Sequence, residues 1–182
     1  PPESAAPFLN DAADAFTHIE ELIARENIDC GWTRAGYFVG AWSRAHFAPM
    51  QKKVDLLNHH SKAEAYLVPE EKQREEIGSD FYRGGMVVGR AGHLHPALYF
   101  KGLLDLVGRE KTRIGARTPV LSLAQTKGSI DVVTSRGTIK ARDVIVATNG
   151  YTGDATPEFK RRVLPIGSFI IATEELPEGL AR

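Results

Sequence analysis

The chain has 182 residues, which is enough to bury a hydrophobic core without disulfide bonds. Its 23 basic and 23 acidic residues give a formal net charge of zero, so the composition favours neither nucleic acid nor an anionic membrane as a partner. One cysteine excludes an internal disulfide, no apolar run reaches the roughly 18 residues of a membrane span, and we expect a cytoplasmic protein.

Helical and extended patterns alternate at the start of the chain. The spacing of apolar residues predicts a helix over residues 10–25, and aromatic and β-branched residues predict a strand over residues 32–41. A second helical stripe covers residues 43–60, where Pro49 predicts that the helix proper begins at that residue or is kinked there. Residues 63–68 are a short strand candidate.

The middle of the chain predicts two further helices and a strand between them. Pro69 opens the first helix, because proline and carboxylates suit a first helical turn, and Gly78 closes it. Residues 84–88 form a short strand. Pro96 opens the second helix, which ends near Gly108.

The last third of the chain predicts strands. They cover residues 117–123, a hairpin of residues 130–134 and 137–141, an apolar strand at residues 144–147, and residues 166–173. Helices and strands are therefore mixed, and we predict an α/β to α+β fold with one fully buried strand.

The run from 141 to 150 is the most informative stretch, because uniform apolarity is typical of a parallel strand buried on both faces. Such strands end at a ligand crevice in open α/β sheets. Small residues at its end predict that the main chain approaches a phosphate, a ribose or a ring edge, and the alternative is an ordinary Asn-Gly turn. The main chain at Val120 is a second candidate, for an adenine edge, against a plain strand start. The residues at the strand end are Ala147, Thr148, Asn149 and Gly150.

Two histidines precede the helix that begins at Pro96. His93 and His95 would face the same side of a strand, but no carboxylate or cysteine accompanies them at ligand spacing, and we expect no metal site. We predict instead that His95 caps the helix and that His93 lines a pocket or fills space. The sequence also contains no Gly-x-Ser-x-Gly or His-Glu-x-x-His motif, so hydrolase chemistry is not indicated.

Several segments together resemble the FAD-dependent amine and amino-acid oxidase superfamily, which includes D-amino acid oxidase, sarcosine oxidase and glycine oxidase. Within it the resemblance is strongest to the γ-glutamylputrescine oxidoreductases. The segments keep the family's order over nearly the whole chain. They are Ile28-Asp29-Cys30-Gly31-Trp32 with Gly36-Tyr37-Phe38, Gly92-His93-Leu94-His95-Pro96, Thr118-Pro119-Val120, residues 141–151, residues 162–166 and residues 171–176.

The resemblance implies a Rossmann-like domain that holds FAD and a substrate domain with an antiparallel sheet and flanking helices. Residues 1–91 would be mainly substrate domain, residues 92–163 part of the FAD domain, and residues 164–182 a return strand to the substrate domain. By position, Val120 would offer its main chain to the adenine, and residues 147–150 would pass the ribose and diphosphate. Tyr37, His93 and His95 would belong to the substrate or flavin pocket.

The resemblance also implies a reaction. Hydride transfer from the carbon that bears a primary amine to the flavin would give an imine, and water and oxygen would complete its conversion to aldehyde, ammonia and peroxide. The substrate would be an amine like γ-glutamylputrescine, and the cofactor would do the redox chemistry, so no catalytic residue is assigned. The alternatives are a member that acts on sarcosine, glycine or D-amino acids, and a binding module without flavin.

The family's Gly-x-Gly-x-x-Gly phosphate loop is not found in this chain. We therefore expect an internal portion of an oxidase, which alone binds FAD weakly or not at all, because the main-chain nest for the diphosphate is missing. We also expect such a portion to expose an apolar face and to self-associate through it.

Overall fold

The computed structural model describes residues 2–167, 169, 174, 177 and 179. The chain divides into two compact units, with the boundary between Thr112 and Arg113. The helix that begins at Pro96 lies in the first unit, whereas the sequence grouped it with residues 92–163. Which unit serves substrate and which serves FAD stays a prediction. The strand predicted over residues 166–173 falls largely outside the described residues.

Helix α1, Pro2–Glu26, begins well before the predicted start at residue 10. Proline is tolerated in a first helical turn, so the early prolines do not prevent the longer helix. The helix ends at Asn27, whose φ of 52° lies in the left-handed region, and the Ile28 amide donates to the Ile23 carbonyl at 3.0 Å. This closure turns the chain back and buries Ile28 beside the helix it follows.

The second helical stripe is divided at the proline, as predicted. Helix α2, Arg44–Phe47, is a single turn capped by the Ser43 hydroxyl, which accepts a hydrogen bond from the His46 amide at 3.2 Å. Helix α3, Met50–His60, has Pro49 as its N-cap. The expectation that the helix proper begins at Pro49 is confirmed, because proline lacks the amide that a helix interior requires.

A three-stranded antiparallel sheet completes the first unit with helix α4, Pro96–Arg109. Its strands are β1, Tyr37–Gly40, β2, Ala65–Val68, and β3, Gly85–Val88, in the order β1-β3-β2. The three strands predicted here are confirmed with shorter bounds. The helix predicted after Pro69 is a 3₁₀ helix, Glu70–Glu75.

Two hydrophobic clusters hold this unit together. In the main one, helix α3 packs against β2 and β3, and Met86 of the central strand is only 2% exposed. The second cluster joins the end of α1 to α4 through Ile23, Ile28 and Cys30. Partly buried side chains of α4, Tyr99 and Leu103, pack against this cluster. The thiol therefore serves as a small apolar group in the core.

Asn58 connects α3 to the edge strand β2. Its amide nitrogen donates to the Ala65 carbonyl at 2.8 Å, and its amide oxygen accepts from the Ala65 amide at 2.8 Å. Asn58→Ala is expected to lower the free energy of unfolding by about 1–3 kcal/mol, because both main-chain groups lose their partner in a partly buried place. Urea unfolding measures this loss. The control Gln51→Ala removes an exposed amide contact on the same helix and should change stability by less than about 0.5 kcal/mol. Equal effects of the two variants would contradict the role of Asn58.

The second unit is built on another antiparallel sheet, in the order β4-β5-β6. Its strands are β4, Val120–Thr126, β5, Ser129–Thr134, and β6, Gly137–Ala141. The predicted hairpin is confirmed, and Thr134 fixes its turn by donating to the Gly137 carbonyl at 2.7 Å and accepting from the Arg136 amide at 3.1 Å. A 3₁₀ turn, Asn149–Tyr151, and a short helix α5, Pro157–Lys160, follow. The mixed fold class is thus confirmed.

The prediction of a buried strand over residues 144–147 is wrong for the structure of this chain. The segment is irregular, it pairs with no strand among the described residues, and Ile145 is 92% exposed. A parallel strand forms only beside neighbouring strands that supply its ladder, and here β4, β5 and β6 pair with one another. The apolar run is therefore extended but uncovered.

Candidate functional site

A cavity of about 310 Å³ lies in the second unit, between the sheet and the apolar run. The cross-strand pair Leu123 and Val132 lies on the sheet side, and residues 144–148 line the opposite side. Its volume is at the lower end of the roughly 300–1,000 Å³ that is typical of small-molecule pockets. The walls are mainly aliphatic, which suits a flat apolar ring.

Three of the residues predicted to bind a cofactor meet at this cavity. Val120, Ala147 and Thr148 line it together, although Val120 is far from the other two in sequence. Asn149 and Gly150 line a neighbouring depression with residues 163–167. Sequence reasoning missed Leu123 and Val132, although the alternation of apolar residues in β4 and β5 carried the signal.

The end of the apolar run is shaped by a small hydrogen-bond network. Asn149 has a φ of 48°, a left-handed conformation that asparagine tolerates better than most residues. The Thr152 hydroxyl donates to the Asn149 carbonyl at 2.6 Å, and the Thr152 and Thr148 hydroxyl oxygens are 2.8 Å apart. The network fixes the tight turn that follows Ala147.

The polar part of the cavity wall is acidic. Asp154 lines the cavity, and the Lys160 ammonium, 2.7 Å away, lowers the pKa of its carboxyl mainly through this hydrogen bond. Asp154 is therefore ionised at neutral pH, and no lysine or arginine is among the residues lining the cavity. A ligand group that donates hydrogen bonds is favoured here over an anionic one.

The first unit contains the other predicted pocket residues. The prediction that His95 caps a helix is confirmed, since its Nδ1 accepts from the Leu98 amide of α4 at 3.4 Å. His93 forms an isolated β-bridge with Thr33, and Tyr37 lies exposed on the edge strand β1. A pocket role for the three stays a prediction. Within the described part of the chain, no group of three or more potential metal ligands occurs.

A larger depression, about 410 Å³, lies between α1 and α4. Its charged side chains already neutralise one another, with Arg109 on Glu26 at 3.0 Å and Lys101 on Asp105 at 2.7 Å. The contacts are partly or wholly exposed and offer no unpaired cation for a ligand phosphate. The cavity of the second unit is therefore the candidate site.

Comparison with known proteins decides the family. A model of the FAD-dependent oxidoreductase (DAO) family matches residues 2–182. The chain belongs to this family. The chain is 30% identical to the probable oxidoreductase OrdL of Haemophilus influenzae over 98% of its own length, and 32% identical to the γ-glutamylputrescine oxidoreductase of Escherichia coli over 90%. These matches span 42% and 38% of those relatives' lengths.

Solved structures of oxidoreductases share the fold of this family member. Glycine oxidase from Geobacillus kaustophilus matches 77% of the chain with a TM-score of 0.66, and L-proline dehydrogenase from P. horikoshii matches 75% with a TM-score of 0.65. Both are 15% identical in sequence, and each match covers 38% of the solved chain. At this identity the likeness concerns the fold alone.

The family's cofactor, FAD, joins an adenosine half to a flavin half through a diphosphate. The candidate cavity fits the adenosine half, because it combines aliphatic walls with a threonine hydroxyl and a main chain at 144–147 that is unpaired among the described residues. Its lining supplies no cation for the diphosphate. In the FAD-dependent oxidoreductase chain, this cavity is thus a nucleoside site rather than a phosphate site.

Two surface features also bear on the family member's behaviour. Among the described residues, no helix is both long and apolar enough to cross a membrane. Apolar side chains of the second unit are exposed, notably Ile145, Tyr151, Leu164 and Ile166. They are the kind of surface that would drive self-association, which stays a prediction.

Proposed function

We propose that the protein carrying this chain is a cytoplasmic FAD-dependent oxidoreductase that oxidises the C–N bond of a primary amine like γ-glutamylputrescine. The observation that carries the proposal is the 32% identity to a γ-glutamylputrescine oxidoreductase over 165 residues, joined to membership of the family. The amine, oxygen and water would be converted to aldehyde, ammonia and hydrogen peroxide, one of each.

In this proposal the second unit binds the adenosine half of the cofactor. The aliphatic cavity accepts the adenine, the main chain at Val120 contacts its edge, and residues 147–150 approach the ribose and diphosphate. When bound, FAD supplies the acceptor for the two electrons and the hydride of the amine carbon. Tyr37, His93 and His95 are proposed to lie in the substrate or flavin pocket, and catalytic residues are left unassigned.

The test of substrate class uses the full-length protein after incubation with FAD. Peroxide release is measured with γ-glutamylputrescine, sarcosine, glycine and D-alanine at equal concentrations. We expect the highest kcat/KM with γ-glutamylputrescine. Faster turnover of sarcosine, glycine or D-alanine would overturn the substrate class, and a protein that shows neither flavin absorbance nor turnover would be a binding module without flavin.

A charge placed at the cavity edge tests the cofactor site. Ala147→Asp puts a carboxylate beside Asp154 and next to the anionic cofactor, and we expect FAD affinity to fall more than about tenfold, because juxtaposed like charges cost several kcal/mol. Quenching of flavin fluorescence on titration of the full-length apoprotein measures the affinity. The matched control, Ala116→Asp, lies in an exposed loop of the same unit and should leave the affinity within about twofold. Equal losses in both variants would overturn the assignment of the cavity.

A further inference from the structure

The hydroxyl groups of Thr148 and Thr152 have an unambiguous proton arrangement. A threonine hydroxyl carries a single proton, and a carbonyl oxygen can only accept. Thr152 lies 2.6 Å from the Asn149 carbonyl and donates its proton there. Because the two threonine oxygens are 2.8 Å apart and Thr152 has no second proton, the Thr148 hydroxyl must donate to Thr152.

This arrangement decides what Thr148 presents to a ligand. Thr148 lines the candidate cavity, whereas Thr152 lines a separate depression behind it with Val146 and Phe159. With its only proton committed to Thr152, Thr148 can offer the cavity nothing but lone pairs. Asp154, an ionised acceptor, lines the same cavity. Two acceptors therefore face the ligand space, and a phosphate oxygen, itself an acceptor, fits neither of them.

We propose that Thr152 is a positioning residue that holds the Thr148 hydroxyl as a pure hydrogen-bond acceptor, and that Thr148 thereby selects a ribose hydroxyl of the adenosine half of FAD. The inference rests on the proposed function and adds to it which part of the cofactor meets the end of the apolar run. The diphosphate lies beyond Thr148, towards the depression lined by Asn149 and Gly150. Aliphatic Leu123 and Val132 are left for the adenine.

The experiment compares ADP with 2′,3′-dideoxy-ADP as ligands of the full-length apoprotein, measured by titration calorimetry. The parent protein is expected to prefer ADP about threefold to tenfold, which corresponds to one neutral hydrogen bond. Thr148→Val removes the acceptor and should abolish the preference. Thr152→Val should also abolish most of it, because Thr148 then turns its proton towards the cavity. Thr152→Ser keeps the hydroxyl and should restore the preference, and the double valine variant should be no worse than either single variant.

Further ligands separate positioning from simple structural support. A merely structural Thr152 would weaken ADP and dideoxy-ADP equally and leave their ratio at the parent value, which would overturn the proposal. Inorganic pyrophosphate is expected to bind all variants alike, and a weaker affinity for Thr148→Val would instead assign Thr148 to phosphate. A preference that persists in Thr148→Val but disappears with inosine diphosphate would point to the adenine amino group and overturn the ribose assignment. Tight FAD binding with unchanged ratios would overturn this inference alone, whereas a parent protein that binds neither FAD nor ADP would overturn the proposed function with it.

Discussion

Met86→Ala is expected to lower the free energy of unfolding by about 2–5 kcal/mol. Met86 lies on the central strand β3, opposite Val39 of β1 and Leu67 of β2, and α3 covers the same core. Because strands flank it on both sides and a helix closes the cluster, the space left by the side chain cannot collapse easily, and the cavity term adds to the lost apolar burial.

Urea unfolding of the parent protein and the variant measures the loss. Leu56→Ala is the matched control, since it also truncates a large apolar side chain, but one that is 54% exposed on α3. We expect the control to change stability by no more than about 0.5 kcal/mol. A loss below about 1 kcal/mol for Met86→Ala would show that this cluster is not the stabilising core of the first unit.

Gly102→Ala is expected to lower the free energy of unfolding by about 1–2 kcal/mol. A Cβ atom at this position of α4 would overlap the Cγ2 atom of Ile28, a buried β-branched residue whose side chain has little freedom to move. Overpacking of this kind costs about 1–3 kcal/mol, and the higher helix propensity of alanine offsets at most about 1 kcal/mol. The glycine therefore allows α4 to approach the end of α1.

Gly108→Ala is the control for that variant, because it makes the same chemical change on the same helix. A Cβ atom at residue 108 meets no atom within 4 Å, so only helix propensity acts, and stability should rise by up to about 1 kcal/mol. Thermal unfolding monitored by circular dichroism shows the two changes as shifts of Tm in opposite directions. Stabilisation by both alanines would refute the close contact between α4 and Ile28.

Local features of the fold followed closely from the sequence. Pro49 marked the start of α3, since a missing amide acts on the chain wherever it lies. His95 capped α4, because a side-chain acceptor two or three residues before a free amide satisfies it without distant partners. The β5–β6 hairpin formed where a short turn joins two strand patterns. Each of these signals operates within a few residues.

The apolar run at residues 144–147 shows where such reasoning fails. Its composition indicated a buried parallel strand, yet the run is irregular and Ile145 is exposed, because the partners that would pair with it are not among the described strands. A β-strand depends on neighbours that are distant in sequence, so its apolar residues state a requirement for cover without supplying it.

The candidate site was predicted in part. The family resemblance selected Val120, Ala147 and Thr148, and folding brings all three to one cavity. Thr152 was missed, because its importance lies in the direction of one proton, which depends on the left-handed turn at Asn149 and on two measured oxygen contacts. Leu123 and Val132 were missed because their role comes from the register of β4 against β5.

The sequence by itself determined the family, the mixed fold class and the approximate positions of the helices and hairpin, because these follow from motifs, caps and periodicities that act over short distances. Only the tertiary structure decided which side chains surround a ligand and which polar groups face it. The acceptor character of the cavity at Thr148 and Asp154 depends on how a turn, a lysine and a hydroxyl proton are arranged in space. Hydrogen bonds depend on distances and angles, and the chain acquires those only when it folds.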